Sequence, residues 1–187
     1  MATISPATHF FRVENLTVDQ PVFRDSFYRF NAPNHEFLVL YLGASLDCAF
    51  IEKFGSSTGK NLVSVKALTG VHVLDIETVR RLVLADLTGP GLARIGADDR
   101  ICKGDDYDLS QRWALGVHGH PRQVDGILYG ARHDPSLRSV ALFDRASDAV
   151  VSAGECDSFF DRVRLEALLE KYGFALLGDL AVSGRAW

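Results

Sequence analysis

Residues 37–55 read FLVLYLGASLDCAFIEKFG, and the reading of this stretch decides the fold. Phe37–Gly43 is an apolar run between a polar stretch and a glycine, the pattern of a buried strand. Ser45 then stands at the N-cap position of a short helix over Leu46–Phe54, which Gly55 closes. Helical spacing places Ser45, Ala49 and Glu52 on one face, and Leu46, Phe50 and Phe54 on a different, apolar face that can anchor the helix. Tyr41 falls near the strand end. The Glu52 carboxylate therefore heads a stripe of small residues that leaves room for a ligand. The competing reading is a solvated Glu52 and a core Tyr41, and spacing alone favours it.

Working outward, His9–Val13 (HFFRV) reads as a first strand, and Gln20–Asn34 as an ordered loop or broken helix. Downstream, Asn61–Leu68 and Val71–Asp75 read as two strands around a Thr69-Gly70 turn. Glu77–Ala85 (ETVRRLVLA) has helical spacing, and a Gly- and Asp-rich loop follows from Thr88 to Gly104. Asp106–Val117 is a helix with Asp106 or Asp108 at its N-terminus and with Leu109 and Trp113 sharing a face. Val124–Tyr129 and Ser139–Phe143 are strands. Asp157 or Ser158 caps a last helix, Phe160–Tyr172, which Gly173 terminates. Strands and helices mixed in this way predict an α/β (α+β) fold in a single compact domain spanning residues 1–187.

Composition agrees. The 187 residues are 47% hydrophobic and 24% charged, ordinary for a globular chain with a sizeable core. Twenty Lys+Arg against 24 Asp+Glu leave a net charge of −4, which argues against nonspecific nucleic-acid binding, since that needs clustered cations. Cys48, Cys102 and Cys156 are odd in number and far apart, so neither a zinc ribbon nor a disulfide framework is expected. The N-terminus lacks a basic segment followed by a long apolar run, and no apolar stretch is long enough to span a bilayer. The expectation is a cytoplasmic protein with no membrane association.

Three motifs carry little. GPGLARIG, from Gly89 to Gly96, lacks the glycine spacing of a dinucleotide fingerprint and the GK[ST] of a P-loop, and reads as a surface loop. His118 and His120 have no third ligand at metal-site spacing, so no metal is expected. Asp98, Asp99, Asp105, Asp106 and Asp108 read as a solvated acidic loop.

Four segments together are more specific. FYRFNAP (Phe27–Pro33), LYLGASLDCAFIE (Leu40–Glu52), DGILYGARHD (Asp125–Asp134) and VALF (Val140–Phe143) resemble the RES domain in order, residue type and separation, across roughly Phe10–Arg145. The resemblance implies a fold similar to ADP-ribosyltransferases. It also implies a toxin of a bacterial toxin–antitoxin pair, with an Xre-type antitoxin as partner and a homodimer within the complex. Its implied chemistry is the consumption of NAD by hydrolysis or phosphorolysis, or transfer of ADP-ribose to a protein, with NAD as substrate and no cofactor.

By the same resemblance, Glu52, Tyr41 and Arg29 are the catalytic candidates. Arg12, Arg29, Tyr41, Ser45 and Arg132 are the candidates for holding NAD. The chemistry asks for these types. Breaking the nicotinamide–ribose bond develops oxocarbenium-like charge that a carboxylate such as Glu52 stabilises. The planar donors of Arg12 and Arg29 match a pyrophosphate, and Tyr41 offers a ring to stack and a hydroxyl to orient. One departure stands out: Ala131 occupies the position where the family pattern has its serine. That motivates a third reading, a non-catalytic domain that binds a nucleotide or a protein.

Overall fold

The computed structural model describes residues 1–15, 20–55, 61–155 and 161–178. Eight strands form one sheet: β1 (Ala2–Ile4), β2 (His9–Glu14), β3 (Val39–Gly43), β5 (His72–Thr78), β6 (Leu82–Asp86), β7 (Gly126–Gly130), β8 (Arg138–Phe143) and β9 (Val150–Glu155). Their order across the sheet is β1-β6-β7-β8-β3-β2-β5-β9. Neighbours are antiparallel except β6 and β7, which run parallel. Short β4 (Leu62–Ser64) and β10 (Ala175–Leu177) pair in parallel as a second sheet.

The middle strands are apolar on both faces, which is why they read as runs rather than alternations. In β3, Val39 and Tyr41 join one apolar cluster while Leu40 and Leu42 join another. In β8, Ala141 and Phe143 divide from Val140 and Leu142 in the same way. The cluster around Leu40 also collects Phe10, Leu74 and Ile76 from β2 and β5 and Leu82 and Leu84 from β6. Strands far apart in the sheet order thus bury one common core, so the sheet curls upon itself. Its other face is covered by α5 (Tyr107–His118), α3 (Pro90–Arg94) and α4 (Arg100–Lys103) in one region. In another it is covered by α1 (Leu46–Phe54), α2 (Val65–Thr69) and α6 (Arg162–Tyr172).

The β3–α1 unit forms as its sequence predicts. The Ser45 hydroxyl accepts from the Cys48 amide at 3.1 Å, and the Gly55 amide closes the helix on the Ile51 carbonyl at 2.8 Å. Leu46, Phe50 and Ile51 are buried against α2 and α6 residues. The turn into the helix is tight at Gly43, where a Cβ would stand 2.8 Å from the Ala49 nitrogen and 3.0 Å from the Cys48 Cβ.

Three expectations are corrected. Glu77–Ala85 is not a helix: Glu77 and Thr78 finish β5 and Leu82–Ala85 lie in β6, with Leu82 and Leu84 fully buried on one side. Ladder pairing with β1 and β7 satisfies that backbone, and tertiary burial overrides the local helical spacing. Asn61–Leu68 is strand only over Leu62–Ser64; Ser64 then caps α2, its hydroxyl accepting from the Ala67 amide at 3.1 Å. The Thr69-Gly70 turn consequently joins a helix to β5 rather than two strands of one sheet. The Thr88–Gly104 segment is not structureless, since it holds α3 and α4 with Leu92, Ile101 and Cys102 buried.

Asp106 caps α5 by accepting from the Asp108 amide at 3.0 Å. The last helix begins at Arg162 under an Asp161 cap and ends on a left-handed Gly173. Asp157 and Ser158, expected as its caps, and Cys156 lie outside the described residues. β1 carried no sequence expectation.

Candidate functional site

A cleft of about 330 Å³ opens where β2, β3, β7 and β8 meet α1 and the Arg24–Arg29 segment. Arg12, Arg29, Tyr41, Glu52 and Arg132, drawn from across the sequence, all line it. Ser45 does not, because its hydroxyl is engaged at the helix cap. Of the predicted stripe on α1, Ala49 and Glu52 face the cleft, with Lys53 beside them.

Glu52 is half-buried in the cleft wall. Its Oε1 accepts from the Arg132 backbone amide at 2.7 Å. Burial raises the carboxyl above its ordinary value of 4.5, opposed by the Arg132 amide and by the Arg29 and Arg132 guanidinium groups. Tyr41 is locked in place: its hydroxyl accepts from the Phe30 amide at 2.9 Å and donates to Asn31 Oδ1 at 3.0 Å. Burial raises its pKa far above the ordinary tyrosine value. The Tyr28 ring meets the Tyr41 ring edge-on, centroids 5.9 Å apart, and also lines the cleft.

The arginines are held individually. Arg29 donates to the Gly104 carbonyl at 2.6 Å and lies over the Tyr107 ring, 4.9 Å from its centroid. Arg132 pairs with Asp105 at 2.5 Å. Arg12 donates through Nη1 to the Tyr41 carbonyl at 2.8 Å and through Nε to Glu14. Glu14 also accepts from Arg24 Nη1 at 2.8 Å. Desolvation pushes the buried Glu14 carboxyl up, but the two guanidinium groups outweigh it and leave the pKa below its ordinary value.

The sequence reading missed several of these residues. Arg24, Glu14, Lys53, Tyr107, Tyr129 and Ser139 all line the cleft. Strand alternation could have found Glu14, two residues beyond Arg12 on the same strand face. The acidic loop is solvated as expected, with Asp98, Asp99, Asp105, Asp106 and Asp108 all exposed. Asp98 pairs with Arg100, Asp99 with Lys103, Asp108 with Arg112, and Asp105 with the cleft residue Arg132. His118 stacks on Phe37, centroids 4.3 Å apart, and no group of three or more His, Cys, Asp or Glu that could hold a metal occurs among the described residues. Cys48 and Cys102 are free and buried. No helix among the described residues is long and apolar enough to cross a membrane.

Taken together, five cations line the cleft (Arg12, Arg24, Arg29, Lys53 and Arg132) against the carboxylates Glu14 and Glu52, in a chain of net charge −4. Such a site suits an anionic ligand whose reacting centre meets a carboxylate.

The family model described as RES domain matches residues 11–159. The probable toxin y4kH of Sinorhizobium fredii (strain NBRC 101917 / NGR234) is 29% identical over 114 residues, covering 60% of this chain and 89% of that protein. A chain from the crystal structure of the M. tuberculosis MbcT–MbcA toxin–antitoxin complex shares the fold with a TM-score of 0.62. It is 18% identical and the match covers 87% of this chain and 92% of that one.

Proposed function

The chain belongs to the RES domain family, and on that basis we propose that it is a toxin that binds NAD and cleaves the nicotinamide–ribose bond. The observation that carries this reading is a half-buried carboxylate, Glu52, fixed by the Arg132 amide in a cleft lined by four arginines.

In this reading NAD is the substrate and no cofactor takes part. Arg12 and Arg24, braced by Glu14, and Arg29, braced by Gly104 and Tyr107, hold the diphosphate. Tyr28 and Tyr41 offer ring surface to the base or ribose. The C1′–N bond breaks with its electron pair leaving on nicotinamide, and the ionised Glu52 stabilises the positive charge that develops on the ribose. An acceptor, either water or phosphate, then donates an electron pair to C1′. Transfer to a protein side chain is the alternative for the same cleft. The whole chain acts as one domain in the cytoplasm, as a homodimer. The names of the relative and of the structural neighbour support an antitoxin partner, which we assign to the Xre type.

The test is nicotinamide release from NAD by purified protein, with and without phosphate, beside Glu52→Ala. Release by the parent alone supports the reading, and dependence on phosphate identifies the acceptor. No release in either buffer from folded, antitoxin-free protein sinks it and leaves protein modification or binding without turnover.

A further inference from the structure

Ser139 lies on the cleft floor, where its sequence position gave no hint of it. It stands directly across from Tyr129 in the β7–β8 ladder and from Gly43 in the β3–β8 ladder, on the strand face that carries Tyr41. The residue is only 2% exposed, yet it lines the cleft. It is the one serine or threonine among the described lining residues.

Its bonding capacity is not used up. Ser139 Oγ lies 3.2 Å from Cys48 Sγ, while the Cys48 thiol donates to the Arg138 carbonyl at 3.2 Å. A thiol has a single proton, so with that proton on Arg138 the serine gives its own to Cys48 Sγ or to the Tyr129 hydroxyl and keeps a lone pair with which to accept. Beside it, the Tyr129 hydroxyl is hydrogen-bonded to Ser139, and Tyr129, Ser139 and Glu52 all line the cleft. The Tyr41 hydroxyl, by contrast, is already committed to Phe30 and Asn31. Ala131 is fully buried, its amide donates to the Leu137 carbonyl at 3.1 Å, and it takes no part in the lining.

Resting on the NAD-cleavage reading, we propose that Ser139 contacts the substrate: its hydroxyl hydrogen-bonds the nicotinamide–ribose end of NAD beside Glu52 and orients the bond that breaks. A hydroxyl oxygen with a lone pair to spare can accept from a ribose hydroxyl or from a carboxamide N–H alike. A central strand of a buried sheet holds it rigidly enough to act by alignment. An interaction that tightens as the bond breaks appears in kcat more than in KM.

The experiment is steady-state nicotinamide release by the parent, Ser139→Ala and Ser139→Cys, with thermal melts and calorimetric NAD binding on all three. Both variants should lose about tenfold or more in kcat, with a smaller rise in KM and measurably weaker NAD binding. Cysteine fills the space of serine but hydrogen-bonds weakly, so it separates bonding from packing. Full activity in Ser139→Cys, or in a folded Ser139→Ala, overturns the proposal; if the alanine variant does not fold, the cysteine variant alone decides. A parent without turnover defeats the cleavage reading separately. In that case NAD affinity weakened in Ser139→Ala upholds the contact, while unchanged affinity, or no binding by the parent, overturns it.

Discussion

The backbone amide of Arg132 donates to Glu52 Oε1 at 2.7 Å, across a sequence separation of 80 residues. That single bond ties the last turn of α1 to the chain leaving β7. It fixes the direction of a carboxylate at the end of a long side chain.

Glu52→Ala should abolish nicotinamide release, with a loss of at least about a hundredfold in kcat, comparable to removing other groups that stabilise developing charge. Circular dichroism and thermal melting should report a folded protein. Residual activity within tenfold of the parent would remove Glu52 from the chemistry.

Activity should fall on the acid side as Glu52 takes up a proton. Burial holds this carboxyl above its ordinary 4.5, so the acid limb of a kcat profile should centre above that value. A limb at or below 4.5 would assign it to another group. The linkage to stability has the opposite sense. A carboxyl with a raised folded-state pKa binds its proton more tightly in the folded chain. Its effect on stability is therefore absent below the unfolded pKa and turns unfavourable as pH rises through the folded one. Glu52→Gln should raise Tm at pH 7 while removing activity, and a lowered Tm would contradict this account.

Glu14 braces Arg12 and Arg24 together. Its folded-state pKa is lowered, so its stabilising effect is present above the unfolded value of about 4.5 and is lost as pH falls through the folded one. Glu14→Gln should cost about 1–3 kcal/mol in urea unfolding at pH 7, because Arg24 is partly exposed and screens the loss. The KM for NAD should rise at the same time, since Arg24 loses its bond to Glu14 and Arg12 keeps only its bond to the Tyr41 carbonyl.

Ser45→Ala should cost about 1 kcal/mol of stability through loss of the N-cap on α1. Denaturant unfolding measures it. A cost near zero would mean that the Cys48 amide finds another acceptor.

The segment that sets the site was legible in the sequence because its signals are local. An apolar run, a capping serine, a spacing of three and four, and a terminating glycine all act within 19 residues of Phe37. Arg12, Arg29, Tyr41 and Arg132 were identified through family resemblance, and they converge on the cleft. What escaped depends on pairing between distant strands. Leu82 and Leu84 look helical beside Val79 until β1 and β7 claim that backbone. Ser139 enters the cleft because the β7–β8 hairpin sets it opposite Tyr129, a register decided by the turn between them. Arg24 joins through Glu14, and no spacing along the chain announces a carboxylate shared by two arginines.

The absent side chain at Gly43 has a genetic consequence. Any replacement would drive a Cβ to 2.8 Å from the Ala49 nitrogen and 3.0 Å from the Cys48 Cβ, pushing α1 off the sheet. Because α1 carries Glu52, the poison would be disarmed without a change to any charged group of the cleft. Bacteria forced to survive the unrestrained gene should therefore yield escape alleles at codon 43 as well as at codon 52.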